Sequence, residues 1–311
     1  MTALDPNHLV ECVPNVSEGR RPDVVRAIGD AAASVSGVRL LDVHSDHDHH
    51  RSVYTLAGPP EAIGESAFRL AAEAVQRIDM EAHKGVHPRM GALDVLPFIP
   101  LGTTPMGVCI DLAQAVGRRL GDELGLPVYF YGDAALRSER RLLIDIRRGE
   151  YEGLRGTIEV DPSREPDAGP ARFGAAGATA VGARLPLVAF NMHLRTPHVG
   201  IARAIAVAVR ASSGGLPAVQ ALGLPTSRPN VVQVSMNLTD LDTTPLHVVA
   251  NAVRAEAHQR GVELAESELV GLMPLEAMLQ SSAALLGLSR LGAAQVIELA
   301  LGAQPSSPGL A

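Results

Sequence analysis

Residues 37–80 read GVRLLDVHSDHDHHRSVYTLAGPPEAIGESAFRLAAEAVQRIDM, and their pattern decides the fold. Two short runs rich in branched and aromatic side chains, 37–43 and 51–58, bracket the polar HSDHDHH at 44–50, as strands bracket a hairpin loop. Paired prolines then open a long amphipathic helix, where a missing N–H costs nothing in the first turn. Upstream, residues 8–16 are apolar, and RRPDVVRAIGDAAASV at 20–35 is a second proline-led helix. The order so far is β-α-β-β-α. GALDVLPFIPL (91–101) adds a buried strand, 106–125 a helix, LPVYFYGD (126–133) a strand and RSERRLLIDIRRGEYEGL (137–154) a charged helix.

Between residues 155 and 184 the texture turns to glycine, alanine and proline, which predicts a loop or linker. Beyond it, LPLVAFNMHL (185–194), VQALGLP (219–225), VVQVSMNLTD (231–240) and VELAESELVGL (262–272) read as strands, with helices at 198–213 and 244–261. Both halves therefore follow the split β-α-β order of ferredoxin-like domains. The predicted class is α/β (α+β), with two ferredoxin-like β-α-β-β-α-β subdomains and a ligand cleft between them. The expected boundaries are 1–184, 185–300 and a flexible tail over 301–311.

The 311-residue chain is 46% hydrophobic and 20% charged, which suits a large globular core and argues against extensive disorder. A net charge of −7 offers no general attraction to nucleic acid or an anionic membrane, so any anionic ligand must meet local cations. Aromatic residues are only 3% and tryptophan is absent, leaving few partners for a flat ligand. Cys12 and Cys109 lack any metal-ligand spacing and read as buried thiols of a reducing compartment. With no basic-then-apolar leader and no membrane-length apolar run, the chain is expected to be cytoplasmic.

HKGVHPRMG at 83–91 concentrates titratable groups before a buried strand. His83 and His87 have the spacing of a zinc-binding helix, but Gly85 and Pro88 disfavour a helix, and Lys84 stands where such a motif has glutamate. Pro88 biases His87 towards extended backbone, with Lys84 and Arg89 near it. Nearby cations keep an imidazole available as a base. Spacing alone leaves open both that role and a loop histidine bonded to a backbone carbonyl. HSDHDHH reads as a polar hairpin loop, with a transition-metal site as the sharper alternative. VPNVSEGRRP at 13–22 places Asn15, Ser17 and Glu18 before a helix start, a place suited to an anion or to a plain capped turn. The glycines of 167–184 carry neither a dinucleotide fingerprint nor a P-loop lysine.

ECVPNVSEGR (11–20), DMEAHKGVHPRMGALDVLPFIPL (79–101), LPVYFYGDAA (126–135), RRGEYEGL (147–154), GATAVGAR (177–184), LVAFNMHL (187–194), QVSMNLTD (233–240) and ELVGLMPLEAML (268–279) together resemble the formiminotransferase family, in its order and to about residue 290. The resemblance implies two joined α/β subdomains, a homodimer, and transfer of a formimidoyl group from N-formimidoyl-L-glutamate to N5 of tetrahydrofolate as co-substrate, without a metal. It makes His87 the catalytic histidine and 169–177, with Gly169, Pro170, Arg172, Phe173, Gly174 and Gly177, the folate segment. Lys84 and Arg89 become candidates for substrate carboxylates, and Asn15, Ser17, Glu18 and His44 for the formimidoyl nitrogen or pterin edge. The chain departs from animal relatives in having His44 for aspartate and His50 for asparagine, and in lacking a tryptophan in the folate segment. Phe173 or Tyr54 is then expected to stack on the pterin. A separate cyclodeaminase is expected to act downstream. Two rivals are a metal-dependent hydrolase of formimidoyl or formyl amino acids using His44–His50, and a folate-binding protein without turnover.

Overall fold

The computed structural model describes residues 8–85 and 88–302; Val86 and His87 lie outside the described residues. The chain divides into two compact units, Met1–Pro186 and Leu187–Ala311, each described by itself. It is a mixed α and β chain with one sheet in each unit.

The first unit runs β1 (Leu9–Cys12), β2 (Asn15–Val16), α1 (Pro22–Ala33), β3 (Arg39–Asp46), β4 (Arg51–Gly58), α2 (Pro60–Arg77), β5 (Leu93–Leu101), α3 (Met106–Leu124), β6 (Val128–Gly132), α4 (Leu143–Ile146), α5 (Glu150–Thr157) and β7 (Thr179–Ala183). Pro22 and Pro60 do open their helices. β1 and β2 are one strand interrupted at Val13-Pro14, and both segments pair with β4 on one side and β5 on the other. β3 adds to the free side of β4, all antiparallel. β7 and then β6 continue from β5 as parallel strands. Strand alternation sorts the two faces. Val10, Cys12, Tyr54, Leu56, Leu96, Phe98 and Phe130 bury against Ile28, Ile63, Leu70 and Leu120 of the three long helices. A second, smaller core on the other face joins Val95, Tyr129, Tyr131 and Ala180 to Ile146 and Leu154 of α4 and α5.

Two expectations change. The charged helix over 137–154 is broken, because consecutive left-handed residues, Gly149 (φ 86°) and Glu150 (φ 56°), separate α4 from α5. The linker over 155–184 instead ends in β7, inserted between β5 and β6. Its small residues are a packing requirement. A Cβ on Gly182 would lie 2.5 Å from the Tyr131 ring, and one on Gly91, in the facing segment, 2.1 Å from the Ala178 carbonyl oxygen.

The second unit runs β8 (Val188–Arg195), α6 (Val199–Val209), β9 (Val219–Pro225), β10 (Val231–Leu238), α7 (Leu246–Gln259), β11 (Leu264–Val270), α8 (Leu275–Leu286) and α9 (Ile297–Gly302). Its four antiparallel strands are ordered β11-β8-β10-β9. Met192, Leu194, Val232, Val234 and Met236 share a core with Ile205, Val249 and Val253 of α6 and α7. Residues 303–311 lie outside the described residues, and among those described no helix is long and apolar enough to cross a membrane.

The contact at Gly91 generates a stability prediction. Gly91→Ala forces a methyl into backbone and should cost about 1–3 kcal/mol. Gly107→Ala, with nothing within 4 Å of the new carbon, should raise stability by roughly 0.4–1 kcal/mol through the unfolded chain. Urea unfolding of both variants checks the pair; equal effects would contradict the packing account.

Candidate functional site

One row of paired residues crosses the first sheet on the face away from α1–α3: His44 of β3 pairs with Val53, Val53 with Asn15, and Asn15 with Val95. Val95 pairs in turn with Ala180, and Ala180 with Tyr129. Two residues singled out from sequence, Asn15 and His44, therefore stand two strands apart on one face. Asn15 is held from both sides. Its Nδ2 donates to the Val13 carbonyl at 2.8 Å, and its Oδ1 accepts from the Arg51 guanidinium.

Ser17 and Glu18 are buried and shape the chain rather than face solvent. The Ser17 N–H donates to the Ala92 carbonyl at 2.9 Å and its hydroxyl to the Gly91 carbonyl at 2.8 Å. The Glu18 carboxylate accepts the Arg20 and Arg21 N–H groups at 2.8 and 3.0 Å and the Arg21 Nε–H at 2.6 Å. Burial alone would raise this carboxyl, but those donors outweigh it and hold its pKa below 4.5.

Above Glu18 sits a pair of imidazoles that sequence reading did not couple. The rings of His50 and His83 lie 4.3 Å apart. His83 Nε2 is 3.0 Å from the His50 carbonyl oxygen, which only accepts, so the proton is on Nε2. Its Nδ1 then accepts from Arg89 Nε–H at 3.4 Å. His50 Nδ1 accepts the Gly19 N–H at 3.2 Å, which places the proton of the neutral ring on its own Nε2. Burial, aided by the neighbouring ring and opposed by Glu18, pushes the His50 pKa down to about 4. Burial also lowers His83, against the stabilising bond to the His50 carbonyl. The pair is neutral near neutral pH.

Arg89 follows Pro88, and its guanidinium is 2.9 and 2.6 Å from the two Glu152 oxygens and 3.1 Å from Glu150. Its charge is thus matched by two carboxylates of α5, while Lys84 is exposed. His87, the candidate acid–base group, lies outside the described residues. The HSDHDHH stretch forms the end of β3 and the following turn. Asp46 accepts the His49 N–H at 2.8 Å and faces its Nδ1 at 3.3 Å, an Asx-type turn. Among the described residues no three His, Cys, Asp or Glu side chains are grouped to hold a metal ion.

In the candidate folate segment, two glycines serve chain packing. Gly169 (φ 77°) approaches Leu126, where a Cβ would be 2.0 Å from the carbonyl oxygen, and Gly177 (φ 71°) approaches Met90, at 2.4 Å. Ala175 and Ala176 carbonyls accept the Met80 and Ala92 N–H groups at 2.9 and 2.8 Å. Phe173 rests on Tyr151, ring centroids 4.9 Å apart, and remains half-buried, whereas Arg172 and Gly174 are exposed. Pro170 is half-buried. The expectation that Tyr54 stacks on a ligand is corrected. It is wholly buried beneath α1, its hydroxyl donating to the Val25 carbonyl at 2.8 Å.

The largest omission of the sequence reading is a charged cluster on the same face. Asp94 is 1% exposed; one oxygen accepts the Met90 N–H at 2.9 Å and the other the Arg147 guanidinium. Arg51 and the Tyr131 hydroxyl lie within electrostatic reach of Arg147. Spacing gives no signal for it, since Arg51, Asp94 and Arg147 are far apart in sequence. Only the sheet and the helix packed on it bring them together.

A sheet that carries Asn15 and His44 on one face, beside the buried Asp94–Arg147 pair, is the setting in which comparison with known proteins becomes informative. The sequence model of the formiminotransferase domain's N-terminal subdomain matches residues 9–184, and that of the formiminotransferase domain matches 189–300. The chain belongs to the formiminotransferase family and is a transferase of one-carbon groups. It is 46% identical over 273 residues to the glutamate formimidoyltransferase of Thermoplasma acidophilum, covering 87% of this chain and 90% of that one. Against the glutamate formimidoyltransferase of Streptococcus pyogenes it is 40% identical over 272 residues, with 87% and 91% covered. The formimidoyltransferase-cyclodeaminase of Gallus gallus is 44% identical over 281 residues, which is 88% of this chain and 52% of the relative.

The neutral imidazole pair sets an acid limit. His50 binds its proton near pH 6.5 when unfolded and only near 4 when folded. Stability is therefore fully present above about pH 6.5 and is lost as pH falls towards 4, by at most about 3 kcal/mol. His50→Asn, which tolerates the left-handed backbone there (φ 52°), should flatten this loss. Urea titrations between pH 7.5 and 4 test it, and an unchanged slope in the variant would contradict it.

Proposed function

We propose that the chain moves the formimidoyl group of N-formimidoyl-L-glutamate to N5 of tetrahydrofolate, releasing L-glutamate and 5-formimidoyltetrahydrofolate, with His87 as general acid/base. The observation that carries this reading is the match of both family domains across the chain, at 40–46% identity to two proteins named for this transfer. N5 attacks the amidine carbon to give a tetrahedral adduct. The carbon–nitrogen bond to glutamate then breaks. One proton leaves N5 and one joins the departing nitrogen, so a single imidazole placed between them serves both steps. His83 and Arg89, which bracket His87 in sequence, are both held by hydrogen bonds.

The same reading assigns the folate to the face bearing Phe173, with tetrahydrofolate as co-substrate and no metal. On this reading Asn15 and His44 contribute from the sheet and Arg172, Phe173 and Gly174 from the 169–177 segment, while Ser17, Glu18, Gly169 and Gly177 hold the backbone that carries them. The β-α-β-β-α-β order of the second unit, with strands β11-β8-β10-β9, supports a ferredoxin-like unit, and the antiparallel part of the first sheet follows the same order. We further propose a cytoplasmic homodimer.

The test is an assay of the purified chain with N-formimidoyl-L-glutamate and tetrahydrofolate, with and without chelator. The expected result is chelator-resistant formation of 5-formimidoyltetrahydrofolate. His87→Ala should lower kcat by about 10²- to 10⁴-fold while folate affinity stays within a few-fold. Glutamate release without folate would overturn transfer in favour of hydrolysis, and a near-normal His87→Ala would overturn the role of that histidine.

A further inference from the structure

Helix α8 of the second unit is apolar on both sides. It packs beside α7, and its buried residues are Ala277, Leu279 and Ala283. A helix on the outside of a domain normally turns a polar face to water. Here the opposite arc carries Leu275, Met278, Leu285 and Leu286, which are 43–87% exposed. At 3.6 residues per turn, positions 275, 278, 282 and 285 follow one stripe, with 286 beside 282. Only Ser281 and Ser282 lie between the large side chains. The Ser281 hydroxyl donates to the Ala277 carbonyl at 2.8 Å, so it can leave water without losing a partner. No charged side chain stands on the arc.

Apolar residues scattered singly on a surface need no explanation, but a continuous strip of them marks an interaction site. Leu272 and Leu288, both exposed, extend it at either end. The strip then presents roughly 600 Å² of apolar residue surface, close to the ~800 Å² that each partner gives to a stable interface.

The chemistry of the strip selects its occupant. Residues 303–311, AQPSSPGLA, hold one leucine among prolines and serines, too little to cover it. A helix lying on an anionic bilayer needs a lysine- and arginine-rich polar face, whereas the only charge on α8 is Glu276. A second copy fits, because a two-fold axis presents the same strip to itself. With the two helices antiparallel about Ser281–Ser282, Met278 of one copy meets Leu285 of the second copy. Opposite ends of the helix dipoles then lie side by side. Glu276, at the start of α8, is carried to the end of the other helix, where Arg290 follows Gly287. Both side chains are exposed, and neither has an ion pair among the described residues.

We propose that two copies of the chain associate through this strip of α8, as an antiparallel helix pair across a two-fold axis. The inference deepens the homodimer reading above and takes from it only that the chain self-associates.

Sedimentation equilibrium of the full chain over a range of concentrations tests it. Leu285→Glu and Met278→Glu each place two unpaired carboxylates in the interface, one per copy. Each should weaken self-association by about 100-fold or more. Ile144→Glu, on a comparably exposed side chain of α4 (71%), should leave it unchanged. Ser282→Cys gives a second readout that stands should the Glu variants fail to fold by circular dichroism. A short bismaleimide should join two copies of it, since Cys12 and Cys109 are buried. Self-association left intact in both folded Glu variants, or no joined product from Ser282→Cys, overturns this surface while the homodimer stands. A natural chain that is monomeric at every concentration overturns both.

Discussion

The Asp94 carboxylate, 1% exposed and divided between the Met90 N–H and Arg147, fixes the geometry on which the site depends. A buried charge of this kind is tolerable only when each oxygen has a donor. Here the donors come from two directions. Met90 ends the histidine–arginine segment, and Arg147 ends α4. The ion pair thereby fastens the irregular 137–157 stretch to the start of β5, where Asn15 and Val95 meet. Breaking such a pair leaves one buried charge without its partner, which typically costs about 3–5 kcal/mol.

Around that point the backbone closes by contact. Gly91 and Gly177 face each other across an isolated bridge, and neither position has room for a Cβ. The Ser17 hydroxyl and N–H hold residues 91 and 92 from the β2 side. His83 and Arg89 are then joined to each other, to the turn before β4 and to α5. The result is a set of polar groups largely satisfied by the protein itself, held in place by their neighbours.

The strands at 39–46 and 51–58, both proline-led helices and the antiparallel sheet of the second unit were legible, because period-two and period-3.6 patterns act locally. β7 was not. GATAVGAR reads as a flexible stretch, yet its alanines and glycines are what fit between β5 and β6 against Tyr131. Asn15 and His44 were legible as candidates from motif context, and the register places them on one row. Tyr54 misled because an aromatic side chain in a strand points to one of two faces, and single-sequence reading does not say which holds the core. The Arg51–Asp94–Arg147 cluster was invisible for a related reason: its members meet only through sheet pairing and a helix packed on the far face.

Amide hydrogen exchange in the natural chain and in Asp94→Ala addresses the organising role of that carboxylate directly. The account predicts that the Met90 amide and those of 147–154 are protected in the natural chain and lose protection together in the variant, while β1 and α2 keep theirs. Protection at Met90 that is unchanged by the substitution would contradict it.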